Sequence, residues 1–182
     1  MSIEVELRAR FNQTQHDYLI SHLTAHGENL GTNNKHIYFY LLPNQLLKVV
    51  NNLSTASAKI SLKENRIGQT SVFPETEMQI PQNEVPTAVA IFNQLGYADT
   101  MHEAYNQRHD FRFRGVEIAI KHSQAWGYHA EFELLLENNS DQTAIDQAVE
   151  RIHNVAAELG VTLMTDDELV EFTAQFEQSQ QR

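Results

Sequence analysis

The sequence predicts an α+β domain in which about eight mostly antiparallel strands form a sheet and helices pack outside it. Three observations support this prediction. Polar and apolar residues alternate through eight segments, which is the pattern of strands with one polar and one apolar face. Most of these segments are joined by short turns, which suit antiparallel pairing. Helical patterns occur early, midway and at the end of the chain, and not between successive strands as in βαβ units.

The predicted strands are the segments with strand-like alternation of polar and apolar residues. The stretch RFRGVEI also predicts a hairpin around Gly115. In chain order, the eight predicted strands are 3–11, 35–41, 45–50, 57–64, 70–80, 103–113, 115–122 and 128–137.

Four other segments show the apolar spacing of helices. The first three stop at or before a glycine, namely Gly27, Gly96 and Gly160, as many helices do. The predicted helices are 14–26, 84–95, 141–159 and 166–177. No linker divides these elements, so we predict a single domain over residues 1–178 and a flexible, Gln-rich tail at 179–182.

Composition excludes several classes of function. The chain has 182 residues and a formal net charge of -11, which argues against a nucleic-acid or anionic-membrane surface. It has no cysteine, so it can form neither a disulfide framework nor a thiolate metal site. There is no apolar run long enough to span a bilayer, and a strand pattern begins too early for a signal peptide. We therefore expect a cytoplasmic protein.

The charged residues of several strands share one face. In the first strand, Glu4, Glu6 and Arg8 lie on one side and aliphatic residues on the other. The same two-residue spacing recurs at Glu75 and Glu77, at Glu131 and Glu133, at Lys59, Ser61 and Lys63, and at Arg108, Asp110, Arg112 and Arg114. One such strand is ordinary for a sheet with a solvated face, but five in one domain require an explanation.

Two explanations fit these charged faces, and periodicity alone does not decide between them. The sheet is either open, with ion pairs across its exposed face, or curled into a tunnel with the charged face inside. A tunnel lined by Lys and Arg would hold a polyanion such as a linear triphosphate. Carboxylates in the same tunnel would hold a hard divalent cation that bridges to the phosphates.

Aromatic residues of the strands are assigned structural roles. Phe39, Phe111 and Phe113 are predicted to pack on the outer face of the barrel, beneath the helices. His36 shares a face with tyrosines and is assigned a hydrogen-bonded structural role, and Trp126 a packing role.

The ordered motifs resemble those of the CYTH superfamily, also called triphosphate tunnel metalloenzymes. The first strand is similar to the family's E-x-E-x-[K/R] motif, and the later matches follow in the family's order and approximate spacing. These matches are IYFYLLPNQLLKVVNN, ISLKE, ETE, NQRHDF and GYHAEFE. The superfamily includes class IV adenylyl cyclases, thiamine triphosphatases and inorganic triphosphatases, and the resemblance covers nearly the whole chain. It implies that the sheet is closed, as an α+β domain with an eight-stranded, mostly antiparallel β-tunnel and four flanking helices.

This resemblance implies roles for the charged residues. It implies that carboxylates hold Mg²⁺ or Mn²⁺ and that basic residues contact phosphate, with Arg8 and Lys63 also acting in catalysis. The implied metal ligands are Glu4, Glu6, Glu131 and Glu133, together with Glu75 and Glu77. The implied phosphate contacts are Arg8, Lys48, Lys63 and Arg108, with Arg112, Arg114 and Lys121 as further candidates.

The function implied by the resemblance is metal-dependent processing of a triphosphate. The reaction is either the cyclisation of ATP, as in class IV adenylyl cyclases, or the hydrolysis of an organic or inorganic triphosphate. The candidate substrates are therefore ATP, thiamine triphosphate and tripolyphosphate. Nucleic acids and membranes are not expected partners, and a homodimer is left open.

The chain also departs from the family pattern. Val50 and Asn106 stand where the family usually has basic residues, and Lys121 stands where it commonly has an acid. Arg8 replaces a usual lysine. Two phosphate-binding cations are therefore missing, and Lys121 is expected to restore one positive charge. These departures keep an alternative open, a catalytically weak protein that binds polyphosphate or nucleotide.

Overall fold

The computed structural model of the protein describes residues 2–64, 72–137 and 140–180. Residues 70 and 71 of the predicted strand 70–80, and residues 181–182 of the predicted tail, lie outside these ranges. The strands are β1 (Ser2–Arg10), β2 (Glu28–Thr32), β3 (Lys35–Leu41), β4 (Leu46–Asn52), β5 (Ser57–Lys63), β6 (Val72–Ile80), β7 (Met101–Phe113), β8 (Val116–Ser123) and β9 (Gly127–Glu137). The helices are α1 (Gln13–His26), α2 (Val85–Phe92), α3 (Gln142–Glu158) and α4 (Asp166–Gln180).

The strands form one sheet that closes on itself. Their order is β2-β7-β3-β4-β5-β6-β1-β9-β8, and β7 also pairs with β8. Eight strands therefore form a closed barrel in which all neighbours are antiparallel. This closure confirms the predicted α+β tunnel of eight antiparallel strands with four flanking helices.

Strand β2 is the element that the sequence did not predict. It pairs with β7 alongside the barrel, with Asn29 opposite Phe111 and Thr32 opposite His109. Its single large apolar residue is Leu30, and the strand is largely exposed. A short exposed strand of this kind has no apolar face, so its sequence carries no alternating pattern.

The apolar faces of the barrel strands point outward, to the helices. Phe111 and Phe132 are fully buried together with Leu19 of α1 and Ile152 of α3 in the larger core cluster. A second cluster packs β3, β4 and β5 against α2 and includes the buried Tyr40. Since the apolar residues cover the outside, the alternating polar residues are left to face the interior.

Strand β3 and the β7–β8 hairpin refine two predictions. The hairpin around Gly115 is confirmed, since Arg114 and Gly115 both have positive φ angles, 53° and 74°, as a two-residue turn of this type requires.

The assignment of Phe39 to the outer core was wrong. Tyr40 takes that place and contacts Phe92 of α2, so strand alternation turns Phe39 to the interior.

Among the described residues, no helix is long and apolar enough to cross a membrane.

Candidate functional site

A cavity of about 470 Å³ occupies the interior of the barrel. This volume falls within the range of about 300–1,000 Å³ that is typical of small-molecule sites. All five lysines of the chain line it, namely Lys35, Lys48, Lys59, Lys63 and Lys121. Lysine is normally among the most exposed residue types. An acidic protein thus places every one of its lysines in a single tunnel.

Carboxylates line the same cavity, because strand pairing places them on the interior face. Glu6 of β1 lies directly opposite Glu133 of β9, and Arg8 lies opposite Glu131. Among the described residues, the carboxylates that line the cavity are Glu4, Glu6, Glu75, Glu77, Asp110, Glu117, Glu131 and Glu133. The tunnel therefore brings together opposite charges in three groups, each built by a different part of the sheet.

The first group contains three carboxylates that can share a cation. Oxygen atoms of Glu4, Glu6 and Glu133 lie within 4.8 Å of one another. Lys63 donates hydrogen bonds to the two carboxylates of β1. Its Nζ lies 2.9 Å from Glu4 Oε1 and 3.1 Å from Glu6 Oε2. Glu6 Oε1 accepts no hydrogen bond from the described residues, although it forms an ion pair with Arg8.

The electrostatics of this group favour an additional cation. Burial and the neighbouring charge of Glu6 raise the pKa of Glu4 to about 10 and that of Glu133 to about 7. Burial also opposes ionisation of Glu6, but Arg8 and Lys63 lower its pKa to about 2. The raised pKa values of Glu4 and Glu133 mean that burial and the charge of Glu6 oppose full ionisation of this group, and a bound divalent cation would favour it. Three carboxylates are the hard oxygen ligands that Mg²⁺ and Mn²⁺ prefer, so these residues fit such an ion.

The second group is centred on Glu131. Arg8 Nε lies 3.4 Å from Glu131 Oε1, Arg108 Nη1 lies 3.6 Å from Oε2, and Lys121 also pairs with Oε2. Burial opposes the ionisation of Glu131, but these three cations hold its pKa well below the usual range, and Lys121 has the largest effect among them. Arg8 also pairs with Glu6, and Arg108 with Asp110, so Glu131 is the point at which basic side chains from β1, β7 and β8 meet.

The third group lies on β4, β5 and β6. Lys48 Nζ is 3.6 Å from Glu75 Oε1, and Lys59 pairs with Glu77. Burial acts to raise the pKa of Glu75, but the positive charges of Lys48 and then Lys63 lower it to about 2. Burial lowers the pKa of Lys48 itself. These ion pairs would have to open, at least in part, for the lysines to contact a ligand.

Most of the residues predicted for the site line the cavity. They are Glu4, Glu6, Arg8, Lys48, Lys63, Glu75, Glu77, Arg108, Lys121, Glu131 and Glu133. Three of the six predicted metal ligands meet in the carboxylate group, whereas Glu75, Glu77 and Glu131 are paired with basic residues instead.

Two predicted phosphate contacts are not among the lining residues. Arg112 lies near the end of β7 and forms ion pairs with Glu28 and Glu117. Arg114 is a residue of the hairpin turn, and its side chain, 65% exposed, pairs with Glu158 of α3. Sharing a face with Arg108 was therefore not enough to place them inside, because the strand leaves the interior before it reaches the turn.

The structure adds lining residues that sequence reasoning did not select. They include Lys35 at the start of β3, Asp110 on β7, and Trp126 and His129 near β9. His129 Nδ1 lies 3.0 Å from the carbonyl oxygen of Gly127, and burial, with Lys121 adding to it, lowers the pKa of His129 to about 4. Lys35 shares a strand face with Ile37 and Phe39, so the wrong assignment of Phe39 to the outer core also hid Lys35 from the sequence analysis.

Comparison with known proteins supports the fold. Neither a protein-family model nor a curated protein sequence matches the chain. Among solved structures, a conserved hypothetical protein from Pyrococcus furiosus matches with a TM-score of 0.72 and 21% identity, over 88% of this chain and 94% of that one. A proposed adenylate cyclase from Vibrio parahaemolyticus matches with a TM-score of 0.68 and 18% identity, over 90% and 93% of the two chains.

A third structure comes from a plant. It is a proposed adenylyl cyclase from Hippeastrum, described as having a dominant triphosphatase activity, with a TM-score of 0.59, 18% identity and 90% coverage of both chains. At these identities the likeness concerns the fold. The closed eight-stranded barrel and these similar structures together show that the chain has the CYTH-type fold that its motifs predict.

Proposed function

We propose that this protein processes a triphosphate substrate with the help of a divalent cation bound in the tunnel. The observation that carries the proposal is the concentration of all five lysines, with Arg8 and Arg108, in one cavity beside a group of three carboxylates. In a chain with a net charge of -11, such a cavity suits a ligand that is strongly anionic and metal-bound. A linear triphosphate has both properties.

Two of the similar structures support the same substrate class. One comes from a proposed adenylate cyclase and the other from a protein with a dominant triphosphatase activity. Both activities act on triphosphates. Because one fold can host many functions, the residues of the site remain the stronger support for this proposal.

The side chains of the tunnel have distinct roles in this proposal. Glu4, Glu6 and Glu133 would hold the divalent cation, which when bound neutralises charge on phosphoryl oxygens. Arg8 and Lys63 lie beside these carboxylates and stabilise the charge that develops as the phosphoryl group is transferred. The remaining cations orient the phosphate chain along the tunnel.

The two candidate reactions differ in their nucleophile. In cyclisation, the ribose 3′-hydroxyl attacks the α-phosphorus of ATP and pyrophosphate leaves. In hydrolysis, water attacks the terminal phosphorus, its bond to the bridging oxygen breaks, and the products are orthophosphate and the diphosphate that leaves. The charged tunnel serves both reactions, since in each it neutralises negative charge on the phosphates.

One observation favours a second candidate function, the binding of polyphosphate without efficient turnover. Four of the five lysines are already paired with tunnel carboxylates. Val50 and Asn106 also lack the basic side chains that the family resemblance leads one to expect. Removing one preorganised charged contact can lower a rate by about 10²–10³-fold, by analogy with an oxyanion-hole donor.

Product analysis tests these alternatives. The purified protein is incubated with Mg²⁺ or Mn²⁺ and a panel of ATP, GTP, thiamine triphosphate and tripolyphosphate, beside a Glu4→Gln/Glu133→Gln double variant as the blank. Cyclic nucleotide with pyrophosphate, lost in the variant, identifies a cyclase, and orthophosphate lost in the variant identifies a triphosphatase. Equal products from wild type and variant would contradict an enzymatic role and leave binding as the function.

A further inference from the structure

Lys35 differs from the other lysines of the tunnel. It is the first residue of β3, is partly buried and lines the cavity. Its side chain forms no ion pair or hydrogen bond within the described part of the chain, whereas each of the other four lysines pairs with a carboxylate there. Lys35 is thus an interior ammonium group whose hydrogen bonds are not used by the protein.

The surroundings of Lys35 are mainly positive. It lies opposite Asn106 of β7, so Arg108, two residues further along the same face, is its diagonal neighbour at a distance of about 7–8 Å between backbones. Arg108 in turn lies directly opposite Lys121 of β8. The three cations thus occupy neighbouring positions on three adjacent strands.

The carboxylates near this cluster do not balance it. Arg108 pairs with Asp110 and Glu131, and Lys121 also pairs with Glu131. Arg8 contacts Glu131 as well. Burial, followed by the charges of Arg108 and Lys121, lowers the pKa of Lys35 to about 7. Asp110 acts in the opposite direction, but the net effect of burial and local charge disfavours the charged form of Lys35 unless an anion completes the site.

We propose that Lys35, together with Arg108 and Lys121, binds one phosphate group of the substrate. This inference rests on the proposed function and adds a binding residue that the sequence motifs do not assign. The three side chains come from the adjacent strands β3, β7 and β8, whereas the carboxylate group comes from β1 and β9. A phosphate here would accept hydrogen bonds from Lys35 and screen the repulsion among the cations.

The strand register also explains how the chain manages without the missing cations. Lys35 lies directly opposite Asn106, and Lys59 lies directly opposite Val50. Side chains that face each other across an antiparallel pair have Cβ atoms only about 4.5–5.5 Å apart. A lysine on the neighbouring strand can therefore place its ammonium group near the position that the missing basic residue would have served.

Titration calorimetry with tripolyphosphate tests the role of Lys35. The full-length protein and a Lys35→Met variant are titrated with and without Mg²⁺. We expect the variant to bind tripolyphosphate about 10- to 100-fold more weakly, as the loss of one charge-assisted contact predicts. A Lys35→Arg variant, which keeps the positive charge, should retain most of the affinity. A Lys35→Gln variant repeats the measurement with a polar replacement if the Met variant folds poorly.

The control is Arg151→Gln, which removes one positive charge from the exposed face of α3. It should leave the affinity unchanged, and so separate the local effect of Lys35 from the effect of net charge. If wild type binds tripolyphosphate and Lys35→Met binds it equally well, the role of Lys35 is refuted while the proposed function stands. If wild type binds no tripolyphosphate, with or without Mg²⁺, the proposed function fails and the inference fails with it.

Discussion

The positions of individual lysines carry the functional argument. A lysine on a protein surface costs little, since its ammonium group stays hydrated. Lys63 and Lys121 are instead buried among carboxylates, and Lys35 has no such partner in the described residues. Burying a charged group is unfavourable unless it is paired or serves a ligand. Pairing with carboxylates accounts for the burial of Lys63 and Lys121, whereas Lys35 is the lysine for which we propose a ligand.

Stability of the ligand-free protein should reveal the buried charge of Lys35. The pKa of Lys35 is about 7 in the folded protein, whereas the ordinary value, 10.5, applies to the unfolded chain. At a pH between these two values, the unfolded chain therefore binds a proton that the folded protein does not. The free energy of unfolding should therefore rise with pH over this interval because of Lys35. Urea unfolding of wild type and Lys35→Met near pH 7 and near pH 10 measures the difference.

Wild type should gain stability relative to Lys35→Met as the pH rises between these values. Below about pH 7 both states carry the proton, so the full cost of burying the charge falls on wild type and the Met variant should be the more stable. A difference in unfolding free energy that stays constant over the interval would contradict the buried, unpaired state of this amine.

The carboxylate group makes a separate prediction about metal binding. Mg²⁺ should stabilise wild type by about 2.7 kcal/mol at a concentration 100 times its Kd. A Glu133→Gln variant should lose most of this stabilisation, because it removes one of three adjacent carboxylates. Thermal unfolding with and without Mg²⁺, in the absence of substrate, measures the effect. Glu150→Gln on the exposed face of α3 is the matched control, and an equal response of all three proteins would contradict the metal site.

At the scale of the elements, strand alternation explains why the tunnel could be predicted. A period of two placed Glu4, Glu6 and Arg8 on one face and the core residues on the other, and closure of the sheet turned the charged faces inward. The pairing of Glu6 with Glu133 could not be predicted, because it depends on the register of β1 against β9, far apart in sequence. Strand β2 and the exposed Arg114 were not predictable either, since neither depends on an apolar face.

Strand β9 shows how the outer face supports the inner one. Phe132 is fully buried beneath the helices and lies between Glu131 and Glu133, which face the tunnel. Phe132→Ala should lower the free energy of unfolding by about 3–5 kcal/mol, because it leaves a cavity in the core. Urea unfolding measures this loss. Met78→Ala, at a side chain that is 58% exposed, should change it by no more than about 0.5 kcal/mol, and a similar loss in both variants would contradict this packing.

At the scale of the whole molecule, an acidic protein gathers most of its basic side chains in the tunnel. Its formal net charge is -11, yet seven basic side chains converge in the tunnel, namely Arg8, Lys35, Lys48, Lys59, Lys63, Arg108 and Lys121. Within the tunnel the carboxylates of Glu4, Glu6 and Glu133 come from β1 and β9, whereas Lys35, Arg108 and Lys121 come from β3, β7 and β8. This separation suits a substrate that presents a bound cation to one group and phosphate oxygens to the other.

The most direct test of this account is to observe the five lysines themselves. The protein is labelled with ¹³C-lysine, and correlation spectra of the ε-methylene groups are recorded while tripolyphosphate is added in the presence of Mg²⁺. We predict that the signals of all five lysines shift together, with a common half-saturation point, because all five line one ligand-binding tunnel. Signals that remain unchanged at saturating tripolyphosphate would contradict the central claim that this tunnel binds a triphosphate.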